Sequence, residues 1–158
     1  MIFGIDPGPH TAIVRYDLDK NEFCFRYFDF TPTGINTEDP HDQIYAHLRK
    51  AVIEGDTIVC EKFEWQKEKQ ERGVRLDYDA AEYVGVVKLF CQQYSGIKLV
   101  MQSPAEAVGN AIFWSDDKLR RVGLYRPIKH ERDALRHLLK YLTFTLGDHR
   151  FLRQLKQA

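Results

Sequence analysis

The chain has 158 residues, of which 44% are hydrophobic and 29% charged, with 23 basic and 23 acidic side chains and a formal net charge of zero at pH 7. That length suits one domain spanning residues 1–158 with a single sizeable core, and the composition is that of an ordinary soluble globular chain. The N-terminus has neither a basic leader nor a long apolar run, and no segment approaches about 18 uninterrupted apolar residues, so the sequence predicts a cytoplasmic protein with no membrane partner.

The neutral total hides an asymmetry. Residues 1–60 carry 5 basic against 10 acidic side chains, and residues 61–158 carry 18 against 13. The basic excess gathers in KFEWQKEKQERGVR (62–75) and DKLRRVGLYRPIKHER (117–132), runs that suit either a solvated face or a polyanion-binding surface. Cys24, Cys60 and Cys91 are odd in number and lack a Cys-x-x-Cys pair, which predicts reduced core residues and not disulfides or zinc ligands.

In chain order, three β-type runs open the sequence at 2–6, 11–17 and 22–30, and their short links predict an antiparallel meander. The first run ends in Asp6-Pro7-Gly8. That is ordinary turn chemistry, and it is equally a place where a carboxylate closing a central strand would hold a cation. Asp39-Pro40 reads as the N-cap and first residue of a helix in which Tyr45, Leu48 and Val52 recur at helical spacing until Gly55. DTIVCE (56–61) reads as a buried parallel strand ending in Glu61, with Cys60 and Glu61 on opposite faces. Residues 62–75 have no clean period and are expected to form a functional loop. A helix is expected over 77–94, with Ala81 and Gly85 allowing close approach to a sheet. Its apolar positions Tyr78, Ala81, Val84, Val86, Val87, Leu89, Phe90 and Tyr94 cover more of the circumference than one sheet contact needs, which fits a subunit interface or a helix sandwiched within the monomer. GIKLVM (96–101) is a further strand. Ser103-Pro104-Ala105-Glu106 is a capping box opening a helix, followed by a mobile basic region and a last helix over 129–146. The order β-β-β-α-β-α-β-α-α predicts an α/β fold with a mixed sheet, in which the first and fourth strands end in an acidic residue.

Metal-assisted phosphodiester hydrolysis needs hard oxygen ligands, and two Mg²⁺ ions about 4 Å apart can activate the attacking water and stabilise the leaving oxygen. Asp6 and Glu61 would supply two ligands if their strands lie side by side. At 100° per residue, His130, Asp133 and His137 fall on one edge of the last helix, beside an apolar stripe of Ala134, Leu135, Leu138, Tyr141 and Leu142. Packed through that stripe, the helix would carry His130 and Asp133 to the rim of the sheet. An acid near a helix start also simply complements the dipole, and His137, a turn further in, reads as structural.

Gly-Ile-Asp-Pro-Gly at the N-terminus, a strand-ending Glu61 and His-x-x-Asp-Ala-Leu opening the last helix together resemble the RuvC-type Holliday junction resolvases, over most of the chain. AAEYVGVV is similar to the small-residue helix that follows the active-site strand in that family. SPAEAVGNAIFWSDDKLRRVG is similar to its Ser-Pro-initiated helix, loop and Lys-x-x-Val helix, matched by Lys118 and Val122. The resemblance implies an α/β, RNase H-like mixed five-stranded sheet flanked by helices. It implies a homodimeric nuclease acting on branched DNA, the four-way junction, with Mg²⁺ (or Mn²⁺ in its place), two ions per site. The family's four-residue metal and catalytic site falls on Asp6, Glu61, His130 and Asp133, with His130 at a position where many members have Asp. Gly109-Asn110 and Trp114-Ser115-Asp116 stand where the family usually has paired lysines and Gly-x-Gly, and the chain is neutral where the family is often basic, as expected of a compact, divergent, phage-encoded member. On this reading Lys67, Lys69, Arg72, Lys118, Arg120, Arg121, Arg126 and Lys129 track phosphates. Phe63 and Trp65 stack on an unpaired base at the junction, unless core packing takes one of them. The alternatives are an RNase H-like nuclease for flap DNA or an RNA–DNA hybrid, and a non-catalytic DNA-binding module, which would have a broken carboxylate set. GIDPGPHTAIV also resembles the first phosphate loop of actin-like kinases, which need a second glycine-rich loop and a second domain.

Overall fold

Two continuous apolar runs and one alternating run near the N-terminus form three strands, β1 (Ile2–Asp6), β2 (His10–Asp17) and β3 (Glu22–Asp29), paired antiparallel in succession. The computed structural model describes residues 1–30, 38–64, 79–103, 109 and 112–157. Helix α1 (Pro40–Ala51) then crosses back to β4 (Thr57–Glu61), and α2 (Asp79–Gln93) leads to β5 (Lys98–Gln102); such crossovers are what parallel pairing requires. The result is a mixed five-stranded sheet in the order β3-β2-β1-β4-β5, with β1, β4 and β5 parallel. The chain ends with α3 (Asp116–Arg121), α4 (Lys129–Lys140), a π-helical turn (Tyr141–Thr145) and α5 (Arg150–Gln157).

Alternation along the strands divides the apolar residues between two cores. On one face Ile2, Ala12, Val14, Tyr16 and Val59 pack against Ala134, Leu135, Leu138 and Leu142, together with Trp114 and Leu119. On the other, Phe3, Ile5, Ile13, Ile58 and Cys60 pack against Ile44 and Leu48 of α1 and Tyr83, Val87 and Phe90 of α2. The predicted stripe of the last helix is buried throughout. Gly4 lets that helix sit so low on the sheet: a Cβ there would lie 2.8 Å from the Leu138 Cβ and closer still to the Ala134 carbonyl oxygen. Any larger residue would lift α4 off β1, and with it the side chains that α4 brings to the rim.

Asp39 caps α1 as expected, its carboxylate accepting from the His41 and Asp42 amides, but the helix stops at Ala51, four residues before Gly55. Gly55 serves a later turn, at φ 88°. Gly85 faces open space and not the sheet, because α2 makes its sheet contact through large residues; the close glycine approach belongs to Gly4 instead. The region expected to be mobile contains α3, capped by the Ser115 hydroxyl on the Lys118 amide. The last predicted helix changes to π geometry after Lys140, and α5 was not anticipated. Its single fully buried residue, Phe151, leaves too short an apolar pattern to read. All three cysteines are free, Cys60 is buried as expected, and Cys24 is exposed on β3 and not in the core. Residues 104–108 of the capping-box helix, most of the 62–75 loop and Tyr78 lie outside the described residues. Among the described residues no helix is long and apolar enough to cross a membrane.

Candidate active site

The parallel register of β1 and β4 pairs Ile5 with Cys60, so Asp6 and Glu61 close adjacent strands at the same rim, on the face covered by α4. Because Gly4 seats α4 against β1, the first turn of the helix reaches Asp6: His130 Nδ1 lies 2.8 Å from Asp6 Oδ2. One turn on, Asp133 accepts from Arg136 Nη1 at 2.8 Å and pairs with Lys129 at 3.6 Å. Another turn on, His137 Nε2 lies 2.7 Å from Glu61 Oε2.

Electrostatics tie these groups into one site. Burial pushes the Asp6 carboxyl above the usual aspartate range; the His130 bond opposes this, and the Glu61 and Asp133 carboxylates add to it. The His130 imidazolium is favoured, first by its bond to Asp6 and then by the Asp6 and Asp133 charges, against burial and Lys129. Sparingly solvated carboxylates gathered at a strand rim are stabilised by a cation.

The four expected residues are not, however, drawn into a ready-made cage. Among the described residues no group of three or more His, Cys, Asp or Glu side chains is arranged to hold a metal ion. Each carboxylate is turned to a partner in the chain: Asp6 to His130, Glu61 to His137, Asp133 to Arg136 and Lys129. The donor chemistry suits Mg²⁺ or Mn²⁺, with hard oxygens from Asp6, Glu61 and Asp133 and an imidazole from His130, and loading would release Asp6 from His130 and Asp133 from Arg136 and Lys129.

Several contributors were missed by reading the sequence. His10 opens β2 on the same face as Asp6, stacks on His130 with ring centroids 5.4 Å apart, and is bonded to the Tyr27 hydroxyl at 2.8 Å. Gln102 sits opposite Glu61 in the β4–β5 register. Arg136 is buried and spans Trp114 O, Asp133 and Asp116. The position of His10 four residues after Asp6, across a Pro-Gly-Pro turn, was the one available signal.

Six of the expected DNA-contacting residues lie among the described ones. Phe63 is half-buried just beyond β4. Lys118 donates to Phe113 O, Arg120 pairs with Asp117 and stacks on Tyr125, Arg121 donates to Leu155 O, and Arg126 pairs with Glu131 and stacks on Phe25. Lys129 flanks the site through Asp133. Trp65, Lys67, Lys69 and Arg72 lie outside the described residues.

The meander, the parallel extension and the helix laid across β1 define an RNase H-like fold with a carboxylate rim. Neither a family model nor a curated protein matches the sequence. Among solved structures, the chain is similar to Thermus thermophilus RuvC in complex with a Holliday junction substrate, at 16% identity and a TM-score of 0.63, covering 93% of this chain and 96% of that one. The yeast mitochondrial Holliday junction resolvase Ydc2 aligns with a TM-score of 0.47 and 13% identity over 99% of this chain and 80% of that one. The fold is that of RuvC.

Proposed function

We propose that the chain is a divalent-metal-dependent endonuclease that nicks four-way junctions and other branched DNA, working as a homodimer. The observation that carries this reading is the placement of Asp6 and Glu61 at the ends of adjacent parallel strands, on the face where α4 lays His130 and Asp133. Asp6, Glu61, Asp133 and His130 would hold two Mg²⁺ or Mn²⁺ ions, which when bound supply an activated water and stabilise the leaving oxygen. The chain's own part is to present carboxylate oxygens in a setting with little water and to keep an imidazole at its edge, as ligand or as the base that positions water. Phe63 and Trp65, following Glu61, are proposed to stack on an unpaired base. The basic residues of 62–75 and 117–132 are proposed to track phosphates.

The RuvC likeness supports the junction as substrate, and resolution of a four-way junction calls for two like sites related by a twofold axis. The outer face of α2 is the candidate interface, where Leu89 is 49% exposed, with Tyr94, just past the end of the helix, 37% exposed. The test pairs light-scattering mass with nicking of a mobile four-way junction, a flap and a linear duplex. A dimer that prefers the junction is expected. A monomer that cuts all three equally would leave the nuclease chemistry standing and remove the junction assignment.

A pH profile checks the role of His130. Its proton is held by Asp6 above the ordinary value of 6.5, and an arriving cation must displace that proton. Cleavage is therefore expected to rise as pH increases through 6.5 and beyond. Raised values for both His130 and Asp6 mean that the folded, metal-free protein binds these protons more tightly than the unfolded chain does. The His130 contribution to stability should be full below 6.5 and decline through the folded His130 value, that of Asp6 should be full below 3.8 and decline as pH rises through the folded Asp6 value, and the divalent ion should offset both losses. A flat rate profile between about 5 and 8 would exclude this role.

A further inference from the structure

Read as structural from its helical position, His137 is buried and is also bonded to a proposed metal ligand. It is fully buried at 0% exposure, on the α4 face that lies over β4, and Gln102 beside it is 5% exposed. Gln102 stands opposite Glu61 across the β4–β5 pair, so the three side chains meet where two strands and a helix converge. Gln102 Nε2 lies 3.2 Å from the His137 carbonyl oxygen, Gln102 Oε1 lies 2.7 Å from His137 Nδ1, and His137 Nε2 lies 2.7 Å from Glu61 Oε2.

Donor and acceptor roles follow from one fixed point. A backbone carbonyl only accepts, so the Gln102 amide must turn its nitrogen to it and its oxygen to the imidazole. Nδ1 therefore carries hydrogen and donates to Oε1. At the other end of the ring, an imidazole nitrogen and a carboxylate oxygen meet at 2.7 Å, which requires a proton between them. With no exposure at the ring, water cannot substitute for either partner, and the imidazole is held at both nitrogens. The Glu61 oxygen it grips is Oε2; Oε1 has no such tie to His137.

We propose that His137, itself held by Gln102, is a positioning residue that fixes the rotamer of the Glu61 carboxylate, turning Oε2 inward and leaving Oε1 for the divalent cation. This rests on the metal-site reading above. A histidine needed only for packing would be satisfied by Gln102; the second nitrogen, spent on Glu61, links the helix core to the rim. Ligands oriented from behind in this way lose roughly ten- to a hundredfold in metal affinity when the support is removed.

Two substitutions separate the nitrogens of His137. The amide nitrogen of Gln reaches the place of Nε2, and that of Asn the place of Nδ1. His137→Asn should therefore keep the Gln102 contact, lose Glu61, and weaken Mn²⁺ binding, followed as free Mn²⁺ by electron paramagnetic resonance, by roughly ten- to a hundredfold. His137→Gln should recover most of that loss, whatever each change does to the melting temperature. Should either variant not fold, Gln102→Met removes the grip on the ring without touching it and should weaken Mn²⁺ binding in the same direction. Equal Mn²⁺ affinities for the Asn and Gln variants, or unchanged affinity with only a lower melting temperature, would overturn the proposal. Asp6→Asn, titrated alongside, distinguishes the failures. If it abolishes Mn²⁺ binding while His137→Asn and Gln102→Met do not alter it, the positioning role alone falls. If the unaltered protein binds no Mn²⁺, or Asp6→Asn leaves binding intact, the site reading falls and takes the positioning role with it.

Discussion

Asp6→Asn is expected to reduce junction cleavage roughly a thousandfold or more while leaving the fold and metal-free DNA binding intact. A divalent ion supplies several kcal/mol of transition-state stabilisation at a phosphodiester, and about 1.4 kcal/mol corresponds to each tenfold in rate. The substitution removes the charge proposed to anchor the ion and almost none of the volume. Asparagine can still bond to His130 Nδ1, so the 2.8 Å contact that ties α4 to β1 has a neutral equivalent. Burial already disfavours the charged form of Asp6, and Glu61 and Asp133 repel it, so the variant should melt no lower than the parent without metal. Loss of activity with retained melting temperature and retained junction binding in chelator is the expected pattern. Undiminished cleavage in Mg²⁺ would end the assignment of Asp6 as a ligand.

The largest expected effect on stability is at Arg136. Its guanidinium donates to Trp114 O at 3.0 Å, to Asp133 Oδ1 at 2.8 Å and to Asp116 Oδ1 at 2.6 Å, and it is only 8% exposed. Arg136→Leu would keep much of the packing but leave the Trp114 carbonyl without its donor and remove three charge-assisted hydrogen bonds, leaving Asp133 to Lys129 and Asp116 to Arg132, a loss of about 3–5 kcal/mol. At this chain length that is roughly 6–20 °C in melting temperature, measurable by thermal denaturation. Arg136→Lys should recover little, because one ammonium on a flexible stem does not reproduce a planar fork aimed in three directions. Arg136 also engages the Asp133 carboxylate, so the fraction of Arg136→Leu that remains folded reports whether freeing that carboxylate alters Mn²⁺ affinity. A fall of under about 1 kcal/mol would mean that the guanidinium contributes little to holding α3 and α4 together.

Asp6 and Glu61 were legible in the sequence because each ends a short apolar run, and strand ends are where a sheet exposes side chains to a pocket. His130 and Asp133 were legible because helical spacing sets them beside an apolar stripe, and burial of that stripe fixes where they point. What could not be read depends on register between distant segments. Nothing local in the sequence says that Gln102 stands opposite Glu61, or that α4 crosses the sheet so that His137 reaches both. The same blindness misplaced the glycine contact: Gly85 looked suited to close packing, but Gly4 is where helix and strand backbones nearly touch. Trp114 stood out only as a departure from a family pattern, yet it is the largest fully buried side chain among the described residues and its carbonyl anchors Arg136. The short α5 escaped because one buried phenylalanine in eight residues is not a period.

The rim formed by Asp6, Glu61, His130 and Asp133 is proposed as a divalent-cation site for phosphodiester hydrolysis. Its most direct test is nicking of a mobile four-way junction by the purified protein in Mg²⁺, in Mn²⁺ and in chelator, at matched ionic strength. Cleavage in either metal, none in chelator, and recovery when the ion is added back are the predicted results. Equal cleavage with and without the divalent ion, or none in any condition by a protein that still binds the junction, would contradict it.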